Sequence, residues 1–127
     1  HSDIVVDPLV MPIGAVNSAG KQVMSLVRRL QEELKVNTTC GASNVSFGLP
    51  NRNGVNAVFL TMAIASGLTS AITNPLHNPV MQAVMGANIM MGNDLNCTNW
   101  IKKFRVHSPE GEGVEQHVRS RRRSRRA

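Results

Sequence analysis

Tyrosine is missing from this chain altogether, and three Phe and one Trp make the aromatic share only 3% of 127 residues. A β-sandwich or a base-stacking platform needs more ring surface than that. The hydrophobic share of 42% is carried by Ala, Val, Leu, Ile and Met, which points to aliphatic packing of helices on strands in one small α/β domain. Cysteine is as sparse. Cys40 and Cys97 stand far apart and belong to no CxxC or Cys/His cluster of the kind that holds zinc, so two free thiols and no metal site are expected. No stretch approaches the ~18 apolar residues of a membrane span, and HSDIVVDP at the start lacks a charged segment followed by an apolar one. The expectation is a soluble, cytoplasmic protein without a membrane partner.

Charge of one sign is in excess, but unevenly. Six of the 14 basic residues (Arg119, Arg121, Arg122, Arg123, Arg125 and Arg126) crowd into the last nine positions, leaving eight bases against eight acids in the rest of the chain. The body is neutral and the net charge of +6 belongs to a tail. From Val106 onward Ser, Pro, Gly, Glu and Arg dominate. Such a composition cannot bury enough apolar surface to offset its ordering entropy, so residues 108–127 read as a disordered Arg-rich tail behind a folded part at 1–107.

Within that folded part the hydrophobic pattern alternates between short β-branched runs and helical periods. Ile4-Val5-Val6 reads as a buried strand closed by Asp7-Pro8. After a Pro/Gly-containing loop from Met11 to Asn17, Val23, Leu26, Val27, Leu30 and Leu34 recur at helical spacing, which predicts an amphipathic helix over about 18–34. Val36 to Cys40 reads as a second strand, and the Gly- and Ser-containing loop from Gly41 to Arg52 has the composition of a ligand-carrying loop. A helix follows over about 53–66, with Gly67 as its C-cap, and then a third strand, Ser70 to Thr73, ending at Asn74-Pro75. Pro79 to Met91 is a further helix whose Met85, Met90 and Met91 read as core filler, and Asn93 or Asp94 can cap a last one through Asn96, Trp100 and Phe104. The order strand, helix, strand, helix, strand, helix implies parallel strands with polar groups at their C-terminal ends. A closed barrel of eight such units needs about 250 residues, so three units make either a small open sheet or a piece of a barrel.

Three motifs carry more than pattern: Val5-Val6-Asp7-Pro8-Leu9-Val10-Met11-Pro12, Thr38-Thr39-Cys40-Gly41-Ala42-Ser43-Asn44-Val45-Ser46-Phe47-Gly48, and Ala71-Ile72-Thr73-Asn74-Pro75. In this order and spacing they resemble the last three strands of the methyltetrahydrofolate:corrinoid methyltransferases, whose pterin-binding barrel is shared with the folate domain of cobalamin-dependent methionine synthase. The resemblance runs over about residues 3–105. It implies an α/β fold consisting of the C-terminal three βα units of a (β/α)8 TIM-barrel pterin-binding domain. It also implies methyl transfer between methyltetrahydrofolate (or tetrahydrofolate) as substrate and the cobalt of a corrinoid carried by a partner protein. The earlier strands of such a barrel are not in the sequence, so the missing N-terminal part, or self-association into a homo-oligomer, is expected to cover the open strand edge.

Residue by residue, the resemblance makes Asp7 the carboxylate that accepts from the 2-aminopyrimidinone edge of the pterin. It makes Asn44 the catalytic amide that donates to the methyl-bearing nitrogen as that nitrogen turns into a leaving group. Ser43, Ser46 and Arg52 share the loop of Asn44 as further pocket members, Arg52 near the pterin or its glutamate tail, and Asn74 ends the third strand. Taken singly, these residues have plainer readings: a strand-end Asp-Pro is a turn device, an Asn in a Gly-rich loop is a turn residue, and His77 beside Asn78-Pro79 is a capping or surface residue. Three other functions compete. Dihydropteroate synthase is similar in fold, but it carries a Ser-Arg-Lys-type loop where this chain has Ser43-Asn44-Val45, and an Arg-x-His where it has Asn74-Pro75. A non-catalytic barrel fragment is the second. Nucleic-acid binding through the Arg-rich tail is the third, against which the body offers neither a basic face nor interleaved aromatics.

Overall fold

A computed structural model of the chain describes residues 2–105, and the tail expected from residue 108 lies outside the described residues. Strand β1 (Val5–Val6) and strand β2 (Asn37–Thr38) pair in parallel, Val5 opposite Asn37 and Val6 opposite Thr38. Parallel neighbours need a crossover, and helix α1 (Ala19–Arg29) supplies it. Its Val23 and Val27 are buried while Lys21, Arg28 and Arg29 stay in water, as the spacing of apolar residues requires. The helix continues to residue 34, as expected, but its last five residues, Leu30–Leu34, form a π-helical turn. The Lys35 N–H reaches back to the Leu30 carbonyl, with Lys35 itself in the left-handed region at φ 55°, and the wider turn keeps Leu30 in the core as the chain swings toward β2.

The third strand expected at Ser70 to Thr73 is reduced to one parallel bridge, Gly41 opposite Ile72. The segment still runs alongside β2: the Ser70 N–H donates to the Thr38 carbonyl (3.0 Å), the Ile72 N–H to the Cys40 carbonyl (2.8 Å), and the Ala42 N–H to the Ile72 carbonyl (3.1 Å). The ladder is shortened because side chains occupy its lower rungs. Thr69 Oγ1 accepts the Thr38 N–H (2.8 Å) and donates to the Thr38 carbonyl (3.0 Å), and Thr38 Oγ1 accepts the Thr69 N–H (3.2 Å). β2 is therefore the middle of a small parallel arrangement, with β1 on one side and residues 70–72 on the other.

Helix α2 (Arg52–Ser66) follows the long loop and buries Phe59, Leu60 and Ala63. Gly67 ends it at φ 112°, a backbone conformation that a side chain resists, which confirms its reading as the C-cap. Helix α3 (Asn78–Met90) packs on α2, with Val80 and Ala87 buried. One core joins Val10, Val23, Val27, Cys40, Val45, Leu60 and Val80, so residues from both strand-end loops and all three helices share it.

The backbone divides into two compact units, one reaching to Asn93 and the other starting at Asp94. In the second, both carboxylate oxygens of Asp94 accept backbone N–H groups, from Asn99 and Trp100 at 3.0 Å each. They cap helix α4 (Thr98–Arg105), in which the rings of Trp100 and Phe104 meet at 45° with centres 4.3 Å apart.

Two expectations are corrected. Ile4 and Val5 are not buried but 51% and 57% exposed, because β1 pairs on one side only and is two residues long. Met90 and Met91 are not core filler either. They sit in and just past the last turn of α3, where Met90 is 85% and Met91 48% exposed.

The Thr38–Thr69 pair generates a test. Thr69 is itself exposed, yet its hydroxyl is the partner of an N–H on a fully buried residue. Replacing it by valine strands that N–H, so Thr69→Val is expected to cost about 1–3 kcal/mol, well above the ~0.5 kcal/mol of an ordinary surface change. Urea unfolding reads this as a lowered midpoint at constant slope. An unchanged midpoint would show that water satisfies the group instead.

Candidate functional site

Because the strands run parallel, the chain leaves β1, β2 and the 70–72 segment at the same edge, and the loops carrying Asp7, Asn44 and Asn74 all start there. Backbone bonds hold these segments to one another. The Ile13 N–H donates to the Val45 carbonyl (2.9 Å), joining the first loop to the second, and the Ala42 N–H donates to the Ile72 carbonyl, joining the second to the third.

Asp7 stands exposed at the end of β1, and its Oδ1 accepts the N–H of Leu9 at 2.8 Å. Leu9 lies in the left-handed region at φ 58°, which costs a non-glycine residue about 1–2 kcal/mol. Buried Pro8 and Val10 on either side hold the turn in place, and the Leu9 bond fixes the direction of the carboxylate. The second oxygen, Oδ2, accepts no hydrogen bond among the described residues, so the group is aimed and half unsatisfied. Its charge is felt next door. Burial first, and then the Asp7 carboxylate, push the thiol of fully buried Cys40 up to about 11.

Asn44 sits in the middle of a short 3-10 turn, Ala42–Ser46, directly after β2. The Asn44 N–H donates to the Gly41 carbonyl (3.2 Å) and the Phe47 N–H to the Asn44 carbonyl (3.3 Å). Ala42, Val45 and Ser46 point inward and are buried, which leaves Ser43 and Asn44 outward and exposed. The carboxamide of Asn44 makes no hydrogen bond among the described residues and lies over Gly41. A primary amide presented in this way can both donate and accept toward a ligand.

The other residues singled out from the sequence are placed differently. Ser46 is fully buried, its hydroxyl donating to the Ser43 carbonyl (3.1 Å) and accepting from Arg52 Nε (3.0 Å). Arg52 Nη2 donates to the same Ser43 carbonyl at 2.7 Å, and the guanidinium carbon lies 5.8 Å from the centre of the Phe47 ring. Exposed Arg52 and buried Ser46 thus meet at the Asn44 turn. Asn74 folds into its own turn, Oδ1 accepting the Leu76 N–H (2.9 Å) and Nδ2 lying 3.2 Å from Nε2 of His77. His77 occupies the N-cap position of α3, in keeping with its plainer reading. Gly41, as the residue that makes room for Asn44, went unnoticed in the sequence. Its signal was the glycine immediately ahead of Ala-Ser-Asn, which pattern alone does not separate from a turn glycine.

The carboxylate of Asp7, the exposed amide of Asn44 and the strand-end amide of Asn74 share the C-terminal edge of a parallel α/β arrangement, the edge at which such folds carry their ligands. The sequence pattern of the family described as pterin binding enzyme matches residues 1–74, and so takes in Asp7, Asn44 and Asn74. This chain belongs to that family. A curated relative, the methylcorrinoid:tetrahydrofolate methyltransferase of Eubacterium limosum, is 32% identical over 103 residues, which make up 80% of this chain and 38% of the relative. The chain therefore spans well under half the length of the curated relative it matches. Among the described residues no helix is long and apolar enough to cross a membrane.

The contrast between the two thiols is testable. Cys40 is buried and Cys97 half-buried, and both are free. Iodoacetamide at pH 8 is expected to label Cys97 in the native protein and to reach Cys40 only after unfolding, read by peptide mass. The raised thiol also has a sign for stability. Its contribution is complete below the ordinary thiol value of 9.0 and is lost as pH rises toward about 11, because the unfolded chain ionises first. Native Cys40 labelling as fast as Cys97 would remove this account of the strand end.

Proposed function

We propose that this chain carries one wall of the folate pocket of a methyltransferase, which moves a methyl group between tetrahydrofolate and the cobalt of a corrinoid held by a partner protein. The observation that carries the reading is the exposed carboxamide of Asn44, set on a braced loop that leaves the same sheet edge as the oriented carboxylate of Asp7. The family match and the name of the Eubacterium relative support it from the side of sequence. In this reading the described residues are the C-terminal three βα units of a (β/α)8 barrel in the cytoplasm. The exposed apolar side chains of β1 are then covered by the upstream part of such a barrel or by a second copy.

Each residue has a separable task. Asp7 accepts from the N–H groups along the pterin edge, with the oxygen that Leu9 leaves unoccupied and the remaining lone pairs of the other. When the methyl group leaves, its bonding pair stays on the folate nitrogen. That nitrogen is a poor leaving group unless the pair gains a proton or a strong hydrogen bond. The Asn44 amide supplies the hydrogen bond, stabilising charge that develops at the nitrogen without acting as a strong acid. In the reverse direction the same donor releases the lone pair for attack. Ser43 and Asn74 flank these two groups at the rim.

Calorimetric titration of methyltetrahydrofolate into the chain, alone and with the upstream part of a related barrel, tests this. Asp7→Ala is expected to weaken binding by about tenfold to a hundredfold, the worth of one or two charge-assisted hydrogen bonds. Asn44→Ala is expected to leave binding within a few fold and to slow methyl transfer by about 100- to 1,000-fold, the usual loss for one donor to a developing charge. Absence of saturable folate binding in every combination would leave a barrel fragment without this activity.

A further inference from the structure

We propose that Arg52 and Gly41 are positioning residues for Asn44, Arg52 bracing its loop through two hydrogen bonds and Gly41 keeping open the space its carboxamide occupies. This rests on the role given above to Asn44. Arg52 is the first residue of α2, and the Asn44 turn lies just ahead of it in the chain. Two of its donors go to the turn itself, Nε to Ser46 Oγ at 3.0 Å and Nη2 to the Ser43 carbonyl at 2.7 Å, and Ser46 Oγ closes the triangle by donating to that same carbonyl at 3.1 Å. The Ser43 carbonyl immediately precedes Asn44, so the peptide that sets the direction of the asparagine is held by two donors at once. The apex of the triangle, Ser46, is fully buried, and Phe47, 67% exposed, lies toward the guanidinium face. Such a planar fork suits a geometric task that a point charge would not.

Gly41 acts from the other side. Its backbone, at φ −74° and ψ 91°, is open to any L-residue, so the chain path does not call for glycine there. The carboxamide of Asn44 does. A Cβ on Gly41 would sit 3.1 Å from Asn44 Nδ2, 3.6 Å from its Cγ and 3.8 Å from its Oδ1, so the three nearest atoms outside its chain neighbours all belong to the Asn44 carboxamide. An alanine at position 41 would cost the backbone nothing and would be accommodated by displacing the Asn44 carboxamide by a few tenths of an ångström. Glycine here serves the amide and not the fold.

Three variants of the full chain, Gly41→Ala, Arg52→Gln and Arg52→Lys, separate this from a merely structural role, and the first readout needs no folate. In NMR spectra the side-chain amide signals of Asn44 are expected to move in Gly41→Ala while its melting temperature stays unchanged or rises slightly. In Arg52→Gln, exchange of the Asn44 and Phe47 backbone amides is expected to speed up about tenfold or more, and Arg52→Lys should recover only part of the protection, having lost the fork. Asn44 signals that stay in place in both Gly41→Ala and Arg52→Gln would overturn the proposal.

Kinetics of methyl transfer give the second readout. Loss of about tenfold to a hundredfold in kcat, with folate affinity changed by less than about threefold, is the expected outcome for a misplaced catalytic amide. A large loss of folate affinity in Arg52→Gln with the Asn44 signals unmoved would make Arg52 a direct ligand and overturn its positioning role. Failure of the unmodified chain to bind folate, even with the upstream part supplied, would count against the proposed function alone, since the NMR result stands or falls without it.

Discussion

The carbonyl oxygen of Thr38 takes in hydrogen bonds from the Thr69 hydroxyl, the Ser70 N–H and the Ser70 hydroxyl, all at 2.9–3.0 Å, on a residue with no exposed surface. One residue of β2 therefore anchors the segment after α2, while the other side of the same strand is engaged by β1 through the Asn37 and Thr39 N–H groups. With strands only two residues long, there is little ladder to spare. If this pairing slipped by one residue, every side chain downstream would change face, and Asp7, Asn44 and Asn74 would no longer leave the sheet at one edge.

From that anchoring the character of the two strand-end residues follows. Both are polar, exposed and incompletely bonded, but each is held by something the fold provides. The Asp7 carboxylate is oriented by the N–H of a strained Leu9 between two buried neighbours. The Asn44 turn is oriented by a buried serine and by an exposed arginine that donates two hydrogen bonds to it. At this edge one strained residue, Leu9, and one buried polar side chain, Ser46, each hold a neighbouring exposed polar group in a set direction. The proposed function takes its pterin ligand from the description of the family to which the chain belongs.

The path of the chain was largely legible before its structure. Apolar residues at positions 23, 27 and 30 announce α1, Gly67 announces the end of α2, and Asp94 the start of α4, because capping and periodicity depend on neighbours within a turn or two. Strand lengths and burial were less so. Ser70 to Thr73 has the composition of a strand, yet hydroxyl groups of Thr69 and Thr38 take over part of its ladder. Ile4 and Val5 have the composition of a core, yet they lie at an edge. Those outcomes depend on residues about thirty positions away or on surfaces that only packing defines.

By itself, then, the sequence determined the alternation of strands and helices, the neutral body with its basic tail, and the residue types at the strand ends, since each follows from local composition and spacing. Only the tertiary structure decided what those residue types do. Asp7 and Asn44 remain outward with unsatisfied polar atoms, whereas buried Ser46 and the still exposed Arg52 at the start of α2 spend hydrogen bonds on the loop itself. Which polar group faces a ligand and which supports its neighbour is set by where the buried residues of the turn must point, and that is fixed by the core.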